Sequence, residues 1–194
     1  MTLSPGQAAD SLQEIERTQA RSSQARLYAN ASPGFILWGV IWIIGYGASD
    51  LLGQAANWKH GWGAVNWLWA GLTIIGIMGS SAIGRAQQRG AARNPTLGWR
   101  WAGTFLAIWL FTVATFLVLR PTNPVAAGAF IPLVVAVNYA VFGIWQGARF
   151  VYAGIVVAAA TLGGFLFLRE HFLLWMAFVG GGSLVLVGLW LRKI

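Results

Sequence analysis

Hydrophobic and polar positions along this chain fall into long blocks, with no short period of alternation. From Phe35 onward six apolar runs, 35–52, 61–84, 101–119, 124–147, 150–168 and 172–191, are free of Asp, Glu, Lys, Arg and His except at their margins. At about 1.5 Å per residue, each run approaches or exceeds the ~30 Å of a bilayer's hydrocarbon core. The pattern predicts an all-α, polytopic integral membrane protein with about six transmembrane helices in a bundle. Only Ala148 and Arg149 separate the fourth and fifth runs. A single helix through both would far outrun the bilayer, so a break is expected at Arg149.

The first 34 residues differ in kind. They are polar, and they lack the basic start, apolar centre and small-residue cleavage site of a secretory signal. Ser11 and Glu14 have the spacing of a capping box, and with Leu12 and Ile15 they predict a helix over 11–28. Pro33 and Gly34 punctuate the change to the first apolar run. The organisation expected is a polar cytoplasmic segment, 1–34, followed by a six-helix domain, 35–194. The short helix of the first segment reads as solvated, with an interfacial or partner-docking role as the alternative.

Composition sharpens this picture. Hydrophobic residues make up 57% of the chain and charged ones 9%, against about 25% charged in soluble domains. The net charge of +8 is not gathered into a basic stripe with exposed aromatics, so nucleic acid is not an expected partner. The cations mark orientation instead. With the N-terminus inside, Arg17, Arg21, Arg26, Arg85, Arg89, Arg93, Arg100, Arg149, Arg192 and Lys193 are cytoplasmic, whereas Lys59, Arg120 and Arg169 are outside. That asymmetry predicts both termini in the cytoplasm. Eleven Arg against two Lys, with abundant Ala and Gly, suit a GC-rich bacterial genome and hence a bacterial inner membrane. With no Cys, thiolate chemistry and disulfides are excluded.

Twelve Trp residues lie mostly near run boundaries: Trp58, Trp62 and Trp175 outside, and Trp99, Trp101, Trp145 and Trp190 inside, as interfacial anchors. Small residues at i and i+4 let helices approach closely, so Gly143 with Gly147, Gly76 with Ser80 and Gly84, Ala159 with Gly163, and Ala160 with Gly164 are expected packing positions. The Gly180–Gly182 triplet suggests a close crossing or a loosened helix.

Candidate chemistry is sparse. Asn138, Pro132 and Asn66 are the polar or helix-breaking positions that could frame a polar pocket, because a proline kink frees a carbonyl. An interhelical hydrogen bond is the simpler expectation for Asn138. Trp58, Trp62, Asn66 and Trp69 share a helical face that could receive a quinone, carotenoid or lipid. Asp50 lies at the outer end of the first run, where snorkelling or pairing with Lys59 is expected. His60, His171, Asp50 and Glu170 would form a metal set only if the outer loops met, and neither a zinc-binding nor a haem-attachment spacing is present. Phosphate-binding, dinucleotide-binding and nucleophile motifs are missing too, so no enzyme and no cofactor are expected. The function these features favour is a small membrane subunit or regulatory scaffold, partnered by lipid and by copies of itself or another transmembrane protein. A transporter or channel for a small, weakly polar solute is the alternative, and a binder of pigment, quinone or haem a third.

Overall fold

The computed structural model describes residues 5–55, 62–87, 95–120 and 123–193, and among them there is no strand. The helices are α1 (Pro5–Ala55), α2 (Trp62–Gln87), α3 (Pro95–Leu119), α4 (Pro124–Gln146) and α5 (Ala148–Phe167). A 3₁₀ turn (Arg169–His171) leads to a last helix in three continuous pieces: α6 (Phe172–Trp175), a π-helical turn (Met176–Gly181) and α7 (Gly182–Arg192). Five stretches are long and apolar enough to cross a membrane. The described apolar part of α3, Gly103–Leu119, is shorter.

The polar leader and the first apolar run are one helix of 51 residues, about 77 Å long, with Pro33 inside it. The expected helix over 11–28 thus begins earlier and does not stop at Pro33. Proline removes the amide that would bind the carbonyl four residues back. Here that carbonyl belongs to Ala29, an exposed residue open to solvent. The neighbouring turn is held from both sides: Gln87 Nε2 donates to the Asn30 carbonyl at 2.7 Å, and the buried Ser32 hydroxyl donates to the Gly188 carbonyl at 2.6 Å.

The hairpin between α4 and α5 breaks at Gly147 and not at Arg149, which already lies in α5. Gly147 has φ 132° and ψ 146°, a backbone reserved in practice for glycine, and a Cβ there would collide with the Tyr28 hydroxyl. Arg149 has no such need, so the turn settles two residues earlier than charge placement suggested.

α1 lies antiparallel to α7 along a seam of small residues. A Cβ on Gly181 would lie 2.8 Å from the Gly39 carbonyl oxygen, and one on Gly188 would lie 3.0 Å from that of Ser32. Such contact between backbones supplies dispersion where larger side chains would hold the helices apart. Gly154 meets the Ala136 carbonyl of α4 in the same way. Aromatic rings fill the centre: Phe150 is 2% exposed and touches Tyr28, Phe35 and Phe142 at centroid distances of 5.4, 6.0 and 5.0 Å. α2 joins α1 through Trp38 and Trp69, whose indole N–H groups donate to Ser80 and Ser49 at 3.1 and 3.0 Å. α3 leans on α4 through Phe111 and Phe116 against Phe130 and exposes most of its other apolar side chains.

Candidate functional site

Of the buried polar side chains among the described residues, Ser32 and Ser49 bond other helices and Asp50 bonds Gln54, while Thr161 is consumed by helix-making, as is the half-buried Asn138. Thr161 donates to Val157 at 2.7 Å, and Asn138 to Val134 at 2.7 Å, each bonding the carbonyl four residues back on its own helix. Asn138 thus answers its amide without an interhelical partner. Pro132 is fully buried and frees the Gly128 carbonyl, which accepts a hydrogen bond from the Tyr46 hydroxyl of α1 at 2.9 Å. Asn66 is exposed on α2, so Asn66, Pro132 and Asn138 are not gathered into one pocket. Trp69 turns toward α1, with its ring 5.0 Å from Tyr46. Trp58 and the side chain of Trp62 lie outside the described residues.

The small residues divide by what they touch. Gly76 lies beneath the Trp38 ring and Ser80 bonds its N–H, while Gly84 and Gly163 have nothing within 4 Å. Gly164 makes room for the Trp175 ring, whose N–H donates to the Ala160 carbonyl at 2.7 Å. Trp175 is therefore a clasp between α5 and α6. Gly143 accommodates Val151 across the hairpin that Gly147 turns. Trp99 and Trp145 remain more than four-fifths exposed.

Two polar sites remain, one at each end of the bundle. The first is a cleft of about 460 Å³ where the end of α1 meets the turn before α6. Asp50, Gln54, Arg169, Glu170 and His171 line it above an apolar floor that includes Val125 and Phe172. Asp50 is 8% exposed and accepts a hydrogen bond from Gln54 Nε2 at 2.6 Å. Arg169 is drawn aside, its guanidinium 4.9 Å from the Phe165 ring centre. Among these lining residues two carboxylates face one guanidinium, a balance that favours a cationic or hydrogen-bond-donating guest. Asp50, Glu170 and His171 thus line one cleft, but no group of three potential metal ligands lies close enough to hold an ion among the described residues, and His60 falls outside them. Burial of Asp50, rather than snorkelling, is the feature sequence reasoning missed. Gln54, one helical turn on, was the available signal, legible only once α1 is known to continue to Ala55.

The second site surrounds Arg149 at the opposite end. Its guanidinium lies between the rings of Tyr28 and Trp190, 5.2 and 4.7 Å from their centres, and NH1 reaches the Trp190 carbonyl at 3.4 Å. Arg192 Nε donates to the Ser32 hydroxyl at 3.0 Å. No protein-family model, no curated protein and no solved structure matches this chain, so its chemistry is argued from these two sites and the helices that carry them.

Proposed function

We propose that the chain is a six-span protein of a bacterial cytoplasmic membrane, both termini inside, acting without catalysis as a small subunit or regulatory scaffold through helix contacts with itself or a larger membrane complex. The uninterrupted α1 carries this reading. Its apolar half runs through the centre of the bundle, and its first twenty or so residues extend beyond the bundle as an exposed rod. Asp10, Glu14 and Glu16 lie toward the rod's tip, and Arg17, Arg21 and Arg26 toward the bundle. Acids placed away from an anionic leaflet and bases placed near it are the stable order. Leu12 and Ile15 are 62% and 52% exposed, an apolar strip available to another helix. Because one continuous helix joins the rod to the bundle, a partner docking there acts on the helix at the bundle's core.

A photo-crosslinking residue at Ile15 in native membranes tests this. The expected result is one dominant adduct, to a second copy or to a single other membrane protein, lost when Leu12 on the same strip is changed to Asp. A monodisperse monomer giving no adduct overturns the scaffold reading.

The Asp50 cleft favours a second reading, entry of a small solute from the outer side. A carboxylate in a recess at membrane level is a costly feature that ligand contact would justify. Flux or binding that disappears in Asp50→Asn while the protein stays monodisperse supports this reading, and activity unchanged by that substitution removes it.

A further inference from the structure

The chain has five acidic residues: Asp10, Glu14, Glu16, Asp50 and Glu170. Asp50 and Glu170 line the cleft at the end of the bundle remote from Arg149. Glu16, the nearest acid on the rod, is twelve residues before Tyr28, about 18 Å along α1 and beyond a Debye length at physiological salt. Arg149 and Arg192 therefore have no side-chain carboxylate to neutralise them, wherever the loops of the chain lie.

Their positions are nevertheless well defined. Arg149 rests on the ring of Tyr28, and Arg192 on the hydroxyl of Ser32. Tyr28 and Ser32 are four residues apart on α1, so the two guanidiniums are held by side chains on successive turns of one helix face. Each commits one N–H to the protein out of the five a guanidinium offers. The first turn of α5 opens at the same place with no side-chain cap on Gly147, which adds the positive end of a helix dipole. Below Trp190, Leu186 lies one turn back on the same face of α7 and is 68% exposed, and Leu189, at the edge of that face, is 44% exposed. An anion bound here has an apolar track leading away from it, which a free phosphate cannot use.

We infer that Arg149 and Arg192 seat the phosphate of an anionic phospholipid, with Trp190 at headgroup level and an acyl chain along Leu189 and Leu186. This adds a specific lipid to the proposed membrane reading but does not depend on the orientation, since binding is measured in detergent. Intact protein is titrated by native mass spectrometry with phosphatidylglycerol, with phosphatidylcholine and with inorganic phosphate. Phosphatidylglycerol is expected to bind about tenfold more tightly than phosphatidylcholine. The Arg149→Gln, Arg192→Gln double variant loses that preference, and Arg85→Gln, an exposed cation at the end of α2, keeps it. Arg149→Lys retains charge but not the flat stack on Trp190, and gives an intermediate preference that guards against misfolding as the cause. Equal affinity for the two lipids, a preference that survives the double variant, or displacement of the lipid by millimolar inorganic phosphate each overturns the assignment.

Discussion

Pro132 leaves the half-buried Gly128 carbonyl, in the second turn of α4, without an amide, and Tyr46 reaches across from α1 to supply a hydroxyl. Pro33 creates the same deficit at Ala29, where the residue is exposed and water can fill the role. A helix can therefore keep a proline wherever something else donates, and depth decides what that donor must be. Tyr46→Phe is expected to lower stability by about 1 kcal/mol, read as an earlier thermal unfolding in detergent. In a Pro132→Ala background, which restores the missing amide, the same substitution should have less than half that effect. Equal losses in the two backgrounds would show that the hydroxyl has no special relation to the proline.

Among the elements, the α1 and α7 pair depends on backbone approach more than on side-chain bulk. Gly39, Gly181 and Gly188 lie where any Cβ meets a carbonyl or a side chain of the opposite helix, whereas Gly163 on α5 faces open space. Gly181→Leu is expected to separate the helices and destabilise the protein by about 2 kcal/mol or more, and Gly163→Leu to stay within about 0.5 kcal/mol of the parent. Denaturant titration of the purified proteins measures both. Spacing alone nominated Gly163 and Gly164 equally, because i and i+4 identify a face without saying what covers it. Trp175 covers Gly164, and a lipid-facing surface needs no cover at all.

At the scale of the molecule, a native sequence without cysteine makes orientation directly measurable. Ser22→Cys, on the exposed rod, should react with a membrane-impermeant maleimide only after cells are permeabilised, and Asn123→Cys, at the start of α4, should react in intact cells. The reverse pattern contradicts the proposed orientation, and labelling of both in intact cells contradicts the three crossings proposed between them. The exposed apolar surface of α3, from Phe105 to Leu119, belongs to the same argument. In water such a face would drive aggregation, and in lipid it is solvated by acyl chains.

All-helical character among the described residues and the positions of the apolar helices were legible in the sequence, since they follow from block hydrophobicity, which is a local quantity. The continuity of α1 through Pro33 was not, because it depends on Gln87 and on Gly188 at the far end of the chain. The turn at Gly147 was missed for a related reason: Tyr28, more than a hundred residues away, fills the space a side chain would need. Burial of Asp50 and the stacking of Arg149 between two rings likewise arise only when distant helices meet. Hydropathy reports how each segment partitions, but which polar groups face one another is a property of packing, and tertiary structure alone decided it.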